Sequence, residues 1–133
     1  MRRVLVCVLA ALVAAVARPA SAHHSMAIYE AFPTTLEGTV EEFKFTNPHS
    51  VIVLRANGAS WYLEGEAPAI LDHDGYPRNL LRPGDKIKLM VHRLRSGKPG
   101  GLWSVHTILE QNGHEFVGHQ CVTSPDHCNA PNN

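Results

Sequence analysis

The sequence predicts an all-β fold, a small five-stranded barrel with one short helix between its third and fourth strands. Three observations carry that prediction. Apolar residues recur at period two in short runs, an Asn-Gly pair separates two of those runs, and the longest run changes parity partway along.

Thr35 to Phe45 (TLEGTVEEFKF) is the first strand. Leu36, Gly38 and Val40 share one face, whereas Phe43 and Phe45 take the opposite parity. A bulge near Glu41-Glu42 reconciles the two halves and bends the strand. Val51 to Arg55 (VIVLR) is apolar enough to be buried on both faces, and Ser60 to Glu64 (SWYLE) forms the third strand. Between them Asn57-Gly58 supplies the positive φ values that a tight hairpin turn needs. Ala67 to Leu71 (APAIL) opens with a proline near a first-turn position, which fits a short helix. Asp72-His73-Asp74-Gly75-Tyr76-Pro77 ends it, and Arg78 to Leu81 are expected to form a further helical turn. Arg82-Pro83-Gly84-Asp85 turns the chain into Lys86 to Leu94 (KIKLMVHRL), where Ile87, Leu89 and Val91 oppose Lys86, Lys88, Met90 and His92. Ser96 to Gly101 reads as a flexible loop and Leu102 to Leu109 (LWSVHTIL) as the fifth strand, with a short strand expected at His114–Val117. Three strands, a short helix and two further strands, the first of them curved, is the order of an OB-type barrel. A small open β-sandwich is the alternative.

Length and charge narrow the functional classes. The chain has 133 residues with 12 basic and 12 acidic side chains, an apparent balance. Residues 1–22 (MRRVLVCVLAALVAAVARPASA) have a basic start, an apolar run from Val4 to Val16 and an Ala20-Ser21-Ala22 end, the pattern of a cleavable secretory signal peptide. Cleavage there removes Arg2, Arg3 and Arg18 and no acid, leaving 111 residues with 9 bases, 12 acids, a net charge of −3 and all 9 histidines. The expected organisation is a signal peptide at 1–22, a barrel domain at 23–118 and a tail at 119–133. A periplasmic or secreted destination follows, with no stable membrane insertion once the signal is gone. The mildly acidic mature chain argues against a nucleic-acid partner. In an oxidising compartment Cys121 and Cys128 are expected to form one disulfide that tethers the tail.

The histidines carry the chemistry. Cleavage after Ala22 makes His23 the mature N-terminus, so its α-amine and a ring nitrogen can chelate one ion. The free amine has a reference pKa of about 7.7–8.0, and a metal can displace its proton near neutrality. A further imidazole completes a three-nitrogen site suited to Cu(II), with Zn(II) as second choice. His49, held behind Asn47-Pro48 at the joint of the first two strands, is the expected partner, and His24 the third or alternative donor. Against this stands a plainer reading, in which His23-His24 is a solvated leader and His49 bonds a backbone carbonyl. His92 and His106, on expected neighbouring strands, read as packing or hydrogen-bonding residues. Asp72-His73-Asp74 reads as a solvated turn. His114, His119, Cys121, His127 and Cys128 match no zinc spacing. Glu64 and Glu66 flank Gly65 at a strand end, where carboxylates can serve as acid and base, though such spacing is commonplace. Arg78, Arg82, Arg93, Arg95 and Lys98 read as a solvated basic edge, and Trp61, Tyr62 and Trp103 as core or rim aromatics. No Gly-x-Ser-x-Gly elbow, phosphate-binding glycine loop or His-Glu-x-x-His helix is present.

Taken in order, several stretches resemble the domain-of-unknown-function family 6152 of small secreted bacterial proteins. They are Ala22-His23-His24-Ser25, Leu36-x-Gly38-x-Val40, Thr46-Asn47-Pro48-His49, Trp61-x-Leu63-Glu64-Gly65, Arg78…Leu81-x-Pro83-Gly84-Asp85 and Gly101-Leu102…Val105. The resemblance spans roughly residues 20 to 116 and leaves out the Cys121–Cys128 tail. It implies kinship and brings no activity with it.

The expected function is therefore a non-enzymatic periplasmic binding or accessory protein that coordinates copper through His23, His49 and His24. Its partner is an unidentified small ligand or periplasmic protein. The alternative is a metal-free ligand- or protein-binding module that uses the barrel face around Trp61 and the 95–101 loop. A redox enzyme built on the same chelate is a third class.

Overall fold

The computed structural model describes residues 26–116. Strand β1 (Thr34–Lys44) belongs to both sides of the barrel. Its first half, Thr34–Thr39, pairs antiparallel with Val91–Lys86 of β4 (Lys86–Arg93). Its second half, Thr39–Lys44, pairs with Arg55–Val51 of β2 (Val51–Ala56). The β1–β2 register slips between Val40 and Glu42, which is the bulge that the parity change predicts. It lets Val40 face the core while Phe43 and Phe45 pack against the same core from the other parity.

Strand β3 (Ala59–Glu64) returns along β2 through the Asn57-Gly58 turn, with φ of 51° and 77°. Ile52 and Leu54 of β2, Leu63 of β3 and Ile87, Leu89 and Val91 of β4 are almost wholly removed from solvent. Burial of such side chains stabilises by about 1.5–3 kcal/mol each before chain entropy is set against it. Helix α1 (Pro68–His73) begins at its proline and adds Leu71 to that core. Arg78 to Leu81 do not form the expected helical turn: Leu80 N–H closes a single turn on the Pro77 carbonyl, at 3.0 Å. Pro83 disfavours the helical conformation at Arg82, and four residues are too few to nucleate a helix.

The fifth strand also departs from expectation. Strand β5 is only Gly100–Leu102, and it runs parallel to β3 and antiparallel to the end of β4. It closes the circuit β1–β2–β3–β5–β4–β1, so the fold is a closed five-stranded barrel. Gly101, assigned to a loop by sequence, is a barrel residue, and its lack of a Cβ, which would collide with the His92 backbone, permits that close approach. Beyond Leu102 the ladder breaks. Ser104 Oγ accepts from His106 N–H, and Ser104 N–H donates to Thr107 Oγ1, which donates back to the Ser104 carbonyl. These local bonds satisfy the backbone in a single 3-10 turn, Val105–Thr107, where the sequence predicts strand. Pairing with β4 resumes in β6 (Ile108–Gln111), and a second positive-φ pair, Asn112-Gly113, turns it into β7 (His114–Glu115). The Asp85 carboxylate ties this hairpin to the Pro83-Gly84 turn by accepting from Arg82 N–H, Gln111 Nε2 and Asn112 Nδ2. Among the described residues no helix is long and apolar enough to cross a membrane.

Candidate functional site

The β2–β3 ladder does not stop at the strand ends. Gly65 N–H donates to the Ser50 carbonyl and Ser50 N–H to the Glu66 carbonyl, both at 2.9 Å, and Ser50 Oγ donates to the same Glu66 oxygen at 2.7 Å. This extension carries His49 alongside Gly65. His49 Nδ1 lies 3.2 Å from the Gly65 carbonyl oxygen, which can only accept, so Nδ1–H is the donor of this bond. Nε2, the other ring nitrogen, faces Glu64 Oε1 at 3.9 Å. The His49 and Glu64 side chains are 29% and 35% exposed, anchored yet reachable from solvent.

Trp103 fixes the floor of this corner. Its backbone N–H donates to the Glu64 carbonyl at 2.9 Å, and its indole occupies the space that a Cβ on Gly65 would need. Phe43 meets the indole edge-on at 6.1 Å between centroids and meets Phe45 at 6.0 Å. The Arg78 guanidinium lies over Phe45 at 5.2 Å. The indole Nε1 and Glu66 Oε2 are buried with no partner among the described residues.

Glu64 also lines a groove of about 240 Å³ with Tyr29, Val51, Tyr62, Leu94 and Gly101. The wall formed by Tyr29 comes from the segment that precedes β1. Tyr29 bridges Leu94, Glu30 N–H donates to the Arg93 carbonyl, and Arg95 N–H donates to the Ile28 carbonyl. Arg95 Nε donates to the Tyr29 carbonyl at 2.7 Å, and His92 Nδ1 donates to the Glu30 carbonyl at 2.9 Å. Together these bonds hold residues 28–30 as a short antiparallel addition to the end of β4. Burial, and secondarily the Glu64 charge, push the Tyr29 phenol above its ordinary pKa and keep it a neutral donor.

Of the metal ligands expected from sequence, His49 is the one the described residues place, and the singled-out Glu64, Glu66 and Trp103 lie at the same corner. His23 and His24 lie outside the described residues, as do His119, Cys121, His127 and Cys128. His73 pairs with neighbouring Asp74 on an exposed turn, at 3.1 Å, and His114 is exposed on β7. His106 sits exposed in the 3-10 turn, away from any strand pairing with His92. Trp61 does not form the accessible face: it is buried, donates to the Ala56 carbonyl and is covered by Arg93 at 5.0 Å. The exposed aromatic of that strand is Tyr62, at 59%. Among the described residues no three His, Cys, Asp or Glu side chains come together as a metal site.

Sequence reasoning missed the neighbourhood of His49 and Glu64, although the hairpin contains it. A two-residue turn at Asn57-Gly58 pairs Ala56 with Ala59 and Leu54 with Trp61. Counting the same ladder outward sets His49 opposite Glu66, next to Gly65. Tyr29 and Leu94 had no such signal, because a single bridge is too short to leave a period in the sequence.

In comparison with known proteins, residues 10–105 match a family described as a family of unknown function (DUF6152). No curated protein matches the chain.

Proposed function

Because the chain belongs to this family of unknown function, its role has to be argued from the site, and we propose that it is a small secreted binding protein that coordinates copper at the His49 corner. In this reading the signal is cut after Ala22, and the amine and ring of His23 join His49, with His24 as a further donor. The observation that carries it is the anchored imidazole. An Nδ1–H bond to a backbone carbonyl is how metal-ligating histidines are commonly oriented, and it presents Nε2 as the donor nitrogen. The chain supplies the reach: Tyr29 lines the same groove as Glu64, and His23 lies six positions before it. Six extended residues span about 20 Å. Amine and imidazole nitrogens with an oxygen-rich surround favour Cu(II), with Zn(II) next. Binding weakens as pH falls and protons compete for these nitrogens.

The test is Cu(II) titration of protein whose first residue is His23. Stoichiometric binding is expected, with marked weakening in H49A and in a version extended by one N-terminal alanine. Equal binding by all three, or none by any, refutes the reading. The open groove beside Tyr62 favours a second reading, a metal-free module that takes a small organic ligand or a protein side chain there. Retained groove binding without any copper affinity would select it.

A further inference from the structure

From the spacing of His49 and Glu64 we infer that Glu64 is an oxygen ligand of the same ion, so that the site is a mixed nitrogen and oxygen site for a divalent cation. The inference rests on the reading above and adds to it a residue of the groove wall. Two donors bound to one ion at about 2.0–2.1 Å lie no more than about 4.2 Å apart. His49 Nε2 and Glu64 Oε1, at 3.9 Å, already meet that limit on a rigid frame. The frame is fixed at both ends: His49 is tied to the Gly65 carbonyl, and the Glu64 carbonyl accepts from Trp103 N–H. Glu64 ends β3 and His49 lies two residues before β2, where the Ser50 backbone bonds to Gly65 and Glu66 continue the pairing and hold the two side chains at this separation.

Charge argues the same way. A carboxylate beside the donor imidazole offsets part of the charge of a divalent ion, which neutral nitrogens alone do not. Glu64 is reached from solvent through the groove that Tyr62 and Tyr29 line, and the His49 side chain is itself 29% exposed. Another close histidine–carboxylate pair among the described residues, His73 with Asp74, has a histidine side chain 88% exposed. An oxygen donor also sets the oxidation state. Carboxylate and imidazole suit Cu(II) and Zn(II), whereas Cu(I) prefers sulfur ligands.

The experiment uses the chain beginning at His23 and Cu(II) alone as the probe, with E64Q, E64A and E64D beside the parent and H49A. Affinity is read by competition with a chelator, and the ligand set by the electron paramagnetic resonance spectrum of the bound ion. E64Q and E64A are expected to bind Cu(II) weaker by about tenfold or more with a changed g∥, and E64D to recover part of both. Unchanged near-ultraviolet circular dichroism shows that the barrel is intact. If the three Glu64 variants keep the parent affinity and spectrum while H49A is weakened, Glu64 is not a ligand and the copper reading stands. If H49A is also unaffected, both fail. Should E64A unfold, E64Q and E64D still decide the question.

Discussion

Gly65→Ala is the most demanding test of the corner, because the added methyl group has nowhere to go. The ideal Cβ position overlaps the indole nitrogen and ring carbons of Trp103. Relief must come from the glycine backbone or from the indole. The backbone is held on both sides, by Gly65 N–H on the Ser50 carbonyl and by His49 on the Gly65 carbonyl, and Ser50 itself is fully buried. The indole is 4% exposed and lies against Phe43. Overpacking of this kind costs about 1–3 kcal/mol. Loss of glycine freedom in the unfolded chain returns about 0.4–1 kcal/mol. The expected net destabilisation is about 1–2 kcal/mol, which lowers Tm by roughly 5–15 °C for a domain of this size.

Urea unfolding followed by tryptophan fluorescence measures it, with G65A, W103L and the double variant forming a cycle. Leu in place of Trp103 vacates the space, so the double variant should lose less than the two single losses added together. The same strain displaces the carbonyl that orients His49, so Cu(II) affinity should fall with stability in G65A and recover partly in the double variant. A G65A loss below about 0.5 kcal/mol, within the range of ordinary surface changes, would refute the close approach of Gly65 to the indole.

The remaining predictions concern the groove wall and the interrupted fifth strand. Tyr29 and Tyr76 are raised above the ordinary phenol pKa of 10.0, mainly by burial, with Glu64 adding to the first and Asp74 and Glu66 to the second. A raised folded-state pKa means that the folded chain holds its phenol protons longer than the unfolded one. The resulting stability is complete below pH 10 and is lost as pH rises through the folded values. Urea midpoints should therefore fall as pH rises above 10.0, the ordinary phenol value, and Y29F should flatten that slope; an unchanged slope in Y29F denies Tyr29 its share. In the 3-10 turn, T107V removes the partner of Ser104 N–H and a 2.7 Å bond to the Ser104 carbonyl. It should cost about 1–2 kcal/mol, and S104A, which removes the capping oxygen on His106 N–H at 3.3 Å and on the Thr107 backbone, about 0.5–1 kcal/mol. The reverse order in denaturant midpoints would locate the turn's stability elsewhere.

What the sequence reveals of this fold depends on where the information is stored. The bulge, the Asn57-Gly58 hairpin and the inward face of β4 are written in local residue types, and they appear in the structure where the pattern puts them. Closure of the barrel is not written that way. It depends on Gly100 and Gly101, where the absence of a side chain lets β5 fit against Tyr62 and His92, and a residue with no side chain leaves no period to read. The break after Leu102 is likewise hidden, since Trp103, Val105 and Ile108 are all buried and mimic a strand, while Ser104 and Thr107 redirect the backbone. The candidate site divides along the same line. His49 stands out as chemistry, but its value as a donor comes from Gly65 and Glu64, which reach it through the register of a hairpin. That register makes the corner specific. Moving β3 by one residue against β2 would send Glu64 to the inward face and put Leu63 beside the groove, so the Asn57-Gly58 turn that fixes the pairing also fixes which carboxylate His49 meets.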